Sequence, residues 1–346
     1  MLGRLALVLG SLLFGLILLE LGCRLVAGPH ALLHWPNLVL QQRVSSVAEN
    51  TAIRYRYDAH LGWVQKETRS AHVNYDADGI RYTPPVPDMD TTAPPVLATG
   101  DSNTQGDEVN DDQTYPAWLQ GLLKRRVVNA GVGAYGLDQA LLRTEQMAPI
   151  VKPGLIVLGF VADDVRRSEM SRTWGAEKPY FALKDGQLEL SNVPVPPSPD
   201  PRTTLDFWQT AFGWSLLLDT VLRHQGWQYE WAVDHVRAMP PGDGVKVSCL
   251  MMRRVKKLGI PTLVVAQYVF YTWENAEFGA EQHRVAQAVL GCAAEAGLPT
   301  LDLYEPFERA VRSRGLSAVY GAWHPSPEGY RLIAQEVANK LAALEK

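Results

Sequence analysis

Ser102 and His324 are the two side chains of this 346-residue chain whose surroundings suit nucleophilic chemistry. Ser102 stands in Gly100-Asp101-Ser102-Asn103-Thr104-Gln105-Gly106, directly after the apolar stretch Pro95-Val96-Leu97-Ala98-Thr99. Apolar and β-branched residues read as a short buried strand, the small residues bend the chain, and Tyr115 onward reads as the following helix. The spacing therefore puts a hydroxyl on a strand-to-helix turn, at the carboxyl edge where open α/β sheets bind ligands. An Asp-Ser pair alone is an ordinary turn or cap. The late segment Gly321-Ala322-Trp323-His324-Pro325-Ser326-Pro327-Glu328-Gly329-Tyr330 adds the imidazole. Its prolines hold the chain extended, Ser326 suits a cap, Pro327 the first helical position and Glu328 the first turn, so His324 is fixed just outside the last helix. A turn serine early and a loop histidine late are what acyl transfer through a covalent intermediate needs.

On these blocks the chain resembles the SGNH (GDSL-type) hydrolase superfamily. The first block is Gly100 to Gly106, the second Asn129-Ala130-Gly131-Val132-Gly133-Ala134-Tyr135-Gly136, the third Gly159-Phe160-Val161-Ala162-Asp163-Asp164, and the fourth Gly321-Ala322-Trp323-His324. The resemblance covers roughly residues 96 to 346. It implies Ser102 as nucleophile, His324 as base, and an oxyanion hole from the Ser102 amide and the positions of Ala134 and Asp163. It also implies a three-layer α/β/α, flavodoxin-like fold with five parallel strands.

Three departures from the family pattern bear on the chemistry. Ala134 replaces a glycine, and its amide can still donate if the backbone does not need the freedom of glycine. Asp163 replaces an asparagine, and an ionised carboxylate has no proton to give and repels a developing oxyanion. Asp163 must then be protonated, paired or turned away, and Arg166 and Arg167 are close enough in sequence to neutralise it. Gly321 stands where the family keeps the aspartate that orients the histidine. A backbone carbonyl, Asp302, or a carboxylate of the Asp163/Asp164 pair are the candidates to replace it, and Asp101 is a further supporting acid beside the serine. The expectation is a Ser102/His324 dyad.

The elements that must position these residues alternate strand and helix from residue 96 onward: strands at Val96–Thr99, Val127–Asn129, Leu155–Phe160, Pro261–Ala266 and Thr300–Leu303, with helices between. Such alternation implies a parallel sheet covered by helices on both faces. We expect residues 1–28 to be an anchor, 29–95 an extension ending in a proline-rich connector, and 96–346 the hydrolase domain, with an insertion at about 165–244 overhanging the site. The aromatics of that insertion, among them Trp174, Tyr180, Phe181, Trp208, Phe212, Trp214, Trp227 and Trp231, read first as a helical cap burying its own rings. A lid stacking sugars or touching lipid is the other reading.

Met1-Leu2-Gly3-Arg4 precedes a charge-free, mostly apolar run from Leu5 to Leu19, and continuation through Ala27 gives the length of a membrane-spanning helix. No small-x-small cleavage pattern follows, so the segment reads as an uncleaved anchor with Glu20 and Arg24 paired near the interface. Glu20 sits where a lipid-attachment box needs an apolar residue, which argues against lipidation of Cys23. Arg4 on the short side leaves the body extracytoplasmic, periplasmic if the cell is Gram-negative. A net charge of −4 with only short basic clusters argues against nucleic acid as a partner. Cys249 and Cys292 are free to pair in an oxidising compartment or to remain thiols. His30 and His34 have ligand spacing but no acidic or thiol neighbours, so no metal or other cofactor is expected. The expected function is a membrane-anchored esterase hydrolysing O-acyl, first O-acetyl, esters of an acylated carbohydrate or another ester substrate. An acyltransferase using the same site, or a catalytically impaired SGNH-fold binding or assembly protein, are the alternatives.

Overall fold

The structure, a computed structural model, describes residues 2–28, 53–173, 176–197, 207–225, 227, 231 and 242–344. The chain divides into two compact units. One comprises Met1–Ile53, Arg172–Ala176 and Ser198–Pro241, and the other Arg54–Ser171, Glu177–Pro197 and Gly242–Lys346.

The larger unit is built on five parallel strands: β1 (Val96–Thr99), β2 (Val127–Asn129), β3 (Leu155–Phe160), β4 (Thr262–Ala266) and β5 (Thr300–Asp302), in the spatial order β2-β1-β3-β4-β5. This is the flavodoxin-like order, with the switch point between β1 and β3. β1 and β4 are buried at every position, which is why both read as continuous apolar runs instead of alternating ones. Helices Tyr115–Leu123, Leu137–Val151, Gly244–Lys256, Ala276–Glu295 and Pro327–Leu344 cover the sheet, and Leu119, Leu141, Met251, Val289 and Ile333 carry their buried faces into one core. Cys249 and Cys292 form a disulfide between the helices Gly244–Lys256 and Ala276–Glu295, with Cα atoms 5.0 Å apart.

Residues 54–95 belong to the body. The hairpin Tyr55–Asp58/Gly62–Gln65 is stitched to the second block: Trp63 Nε1 donates to the Gly133 carbonyl at 3.0 Å, and Tyr135 Oη donates to the Trp63 carbonyl at 2.6 Å. The proline-rich connector also lies on the body, through Gln120 Nε2 donating to the Pro84 carbonyl.

The expected insertion is smaller than its sequence limits suggest. The hairpin Tyr180–Lys184/Gln187–Ser191 packs with the body, where Phe181 joins the core and Lys178 pairs with Asp138, both fully buried. Among the described residues of the remainder, Phe207, Trp208, Phe212, Trp214 and Trp227 do not follow the expectation of a cap that buries its own rings. The helix Phe207–Phe212 has no buried residue, and Trp208 and Trp227 are 58% and 61% exposed. Trp174, His30 and His34 lie outside the described residues.

The N-terminal helix Leu2–Ala27 is apolar almost all round and exposed along its length, and it is long enough to cross a bilayer by length and composition.

Candidate active site

The serine turn is held by buried polar bonds. β1 ends at Thr99, Gly100 bends the chain, and Asp101 caps the short helix Ser102–Gln105 by accepting from the Asn103 amide at 2.9 Å and the Asn103 side chain at 3.0 Å. Gly100 and Gly131 are dictated by close approach. A Cβ on Gly100 would lie 2.3 Å from Thr104 Oγ1, and one on Gly131 would lie 2.3 Å from the Gln105 amide nitrogen. The second block therefore presses directly on the serine helix. Gln105 locks the contact, its side-chain oxygen accepting from the Gly133 amide at 2.5 Å and from Gln65 at 2.6 Å. Arg81, fully buried, gathers the end of the same turn by bonding Asp111 and the carbonyls of Gln105, Gly106 and Val109.

His324 comes from the turn before the last helix. The Gly321 amide donates to the His324 carbonyl at 2.8 Å, and Ser326 Oγ accepts from the Gly329 amide. His324 Nε2 lies 2.9 Å from Ser102 Oγ. His324 Nδ1 lies 3.0 Å from Glu108 Oε1, and Glu108 Oε2 accepts from the amides of Ala322 and Trp323 at 2.9 and 3.2 Å. With Nδ1 protonated, Nε2 presents its lone pair to the serine hydroxyl.

Glu108 was not among the sequence-predicted site residues. It sits in the loop after the serine helix, in the left-handed conformation at φ 68°, and no motif marks it. The signal available was Gly321 itself. A Cβ there would fall 2.8 Å from Glu108 Oε2, so the position at 321 faces this carboxylate.

The other proposed orienting groups lie elsewhere. Asp302 ends the edge strand β5, three strands from β1 and so about 14 Å across the sheet. It accepts from Tyr268 Oη at 2.7 Å and the Tyr304 amide at 2.9 Å, and lies 3.2 Å from His283 Nε2. Asp164 is buried and accepts from the Val161 amide at 2.9 Å and from Arg167 at 3.1 Å. Asp163 is paired: its Oδ1 accepts from Arg166 at 2.7 and 3.0 Å, and its Oδ2 lies 2.6 Å from Arg167 Nη2. A carboxylate that accepts from two guanidinium groups is ionised, so Asp163 does not act as a neutral donor to an oxyanion. Ala134 does take a left-handed backbone, at φ 64°. Among the described residues the amides of Ser102 and Ala134 donate to no protein acceptor.

Asp101, Asp164 and Arg167 interact electrostatically. Burial raises the Asp101 carboxyl above its usual range, opposed by Arg167. Burial and then the charge of Asp101 raise Asp164 further, again against Arg167. Burial works against the Arg167 cation, but Asp163, Asp164 and Asp101 outweigh it and raise its pKa.

Residues 98–332 match the sequence profile of the GDSL-like lipase/acylhydrolase family, more than half of the chain. The chain belongs to this family. Its SGNH fold is also similar to solved structures. One is LAE5, an alpha/beta hydrolase enzyme from the metagenome of Lake Arreo, Spain (14% identity, 72% of this chain and 95% of that one, TM-score 0.47). Others are the acetyl xylan esterase AlAXEase (14% identity, 71% and 98%, TM-score 0.44) and the acetylxylan esterase Axe2 from Geobacillus stearothermophilus (15% identity, 73% and 95%, TM-score 0.41). No curated protein matches the sequence significantly. As a member of the GDSL-like family, the chain carries the first block intact, and Glu108 Oε1 lies 3.0 Å from His324 Nδ1.

Proposed function

We propose that this chain is a membrane-anchored serine esterase, acting outside the cytoplasm on O-acyl esters, acetyl first, of an envelope or secreted polysaccharide. The observation that carries the reading is the hydrogen-bonded line from Ser102 Oγ through His324 to Glu108. Ser102 Oγ attacks the ester carbonyl as His324 Nε2 takes its proton, and Glu108 stabilises the imidazolium that results. The tetrahedral oxyanion is met by the amides of Ser102 and Ala134. Collapse breaks the bond to the sugar oxygen, which leaves with the proton from His324. Water, deprotonated by His324, then attacks the acyl-enzyme, releasing the carboxylic acid and free Ser102.

Two observations support the finer parts of the reading. Trp323, next to His324 and 58% exposed, meets Phe270 and Tyr271 edge-on at centroid distances of 5.7 and 6.0 Å, an aromatic rim beside the serine suited to a pyranose face. The Cys249–Cys292 disulfide suits an oxidising compartment, the side of the membrane that Arg4 leaves to the body. The test is labelling by a fluorophosphonate probe together with acetate release from an O-acetylated oligosaccharide. Wild type is expected to do both and Ser102→Ala neither. A wild type that labels but releases no acetate retires the substrate, and labelling that survives Ser102→Ala retires the site.

A further inference from the structure

The N-terminal helix carries an acid and a base near its outer end, and both are committed to the smaller unit. Glu20 accepts from Ser215 Oγ at 2.8 Å and from the amides of Leu216 and Leu217 at 2.9 Å each, so a carboxylate of the first helix caps the helix Leu216–His224. Arg24 Nε bonds Glu20 at 2.7 Å while its Nη2 donates to the Trp214 carbonyl at 2.9 Å. The twelve residues from Phe207 to Leu218 contain no charge. Phe207, Trp208, Phe212, Trp214 and Trp227 are all exposed there, and Trp208 stacks on Phe212 at 5.7 Å. Glu20 lies seven residues before Ala27, about 10 Å below that end of the helix at 1.5 Å per residue. The charge-free run Leu5–Leu19 extends away from it over about 22 Å, most of a bilayer's hydrocarbon thickness.

We propose that the helices Phe207–Phe212 and Leu216–His224, with Trp227, are a membrane-interface element. It lies beside the anchor at the boundary of headgroups and acyl chains, with its aromatic side against phospholipid. Rings with an apolar body and a polar edge concentrate at that depth, and an amphipathic helix lies in that plane. The inference rests on the reading of Leu2–Ala27 as a transmembrane anchor. Glu20 and Arg24 fix the depth, since their bonds to Ser215, Leu216, Leu217 and Trp214 hold the two short helices level with the end of the charge-free run.

The test uses the full chain with Cys23→Ser, reconstituted in phosphatidylcholine/phosphatidylglycerol vesicles and labelled with an environment-sensitive fluorophore at Leu12→Cys, Trp208→Cys or Glu189→Cys. The label at 208 is expected to be quenched by lipid spin-labelled near the headgroup and shielded several-fold from aqueous iodide. The label at 12 is quenched by lipid spin-labelled mid-chain, and the label at 189 is open to iodide. Glu20→Ala is expected to return the label at 208 to iodide while the label at 12 stays in lipid. If 12 is lipid-buried and 208 is as open to iodide as 189, the interface element is overturned and the anchor stands. If 12 is open as well, both fall.

Discussion

The two halves of the candidate site are held in opposite ways. Ser102 rides on a turn whose supporting side chains, Asp101, Asn103, Gln105, Asn129 and Arg81, are all buried and bonded to one another or to the backbone. His324 is held at the surface by a single carboxylate, with His324 and Glu108 side chains 19% and 28% exposed. A buried polar lattice is satisfied only in one arrangement and gives little when one member changes. A surface carboxylate that accepts from two amides and an imidazole needs only to reach them, so more than one chain position can supply it. The Ser102 side thus keeps its family block, while the carboxylate beside His324 comes from Glu108 and not from position 321.

The comparison breaks most severely at Gly131. Gly131→Ala forces a Cβ to 2.3 Å from the Gln105 backbone nitrogen, a clash that no rotamer relieves. We expect loss of stability of about 3 kcal/mol or more together with loss of esterase activity. A thermal scan showing an unchanged midpoint would mean that the two blocks do not press together as described. On the other side, Glu108→Ala should leave the melting temperature close to wild type and lower kcat/KM by about a hundredfold to ten-thousandfold, the range for losing an orienting acid. Because the Gly321 position faces the same atoms, Gly321→Asp in the Glu108→Ala background is expected to recover part of that loss. In the wild-type background the same substitution sets two carboxylates against each other and lowers activity. Equal activities of the single and double variants would show that Glu108 does not orient the histidine.

This asymmetry also explains what the sequence made legible. The parallel sheet, the serine turn and the histidine follow from apolar runs and turn residues, because buried strands and close-packed glycines leave patterns in neighbouring positions, whereas the strand order follows only from the family resemblance. Glu108 left none. Its role depends on a contact with a loop more than two hundred residues away, and a surface glutamate after a turn is indistinguishable from solvated charge. Gly321 reads in the sequence as a missing acid, and in the structure its Cα faces Glu108 Oε2. Asp163 was read as a problem for the oxyanion, and its pairing with Arg166 and Arg167 answers that through one turn of helix. The aromatics of Phe207–Trp227 misled because rings usually fill cores.

The smallest expected effect concerns the pH dependence of stability, and it separates the buried side from the exposed one. Asp164 has its carboxyl raised well above 3.8 by burial and by Asp101. Between the unfolded value and the raised folded value the native state binds more protons than the unfolded chain, so stability falls as pH rises through that window. The slope reaches at most about 1.4 kcal/mol per pH unit for one proton. Asp164→Asn removes that proton and keeps an acceptor for the Val161 amide. The melting temperature of the variant is therefore expected to fall less between pH 4.5 and pH 8 than that of wild type. A slope that survives Asp164→Asn unchanged would show that the raised carboxyl of Asp164 is not its source.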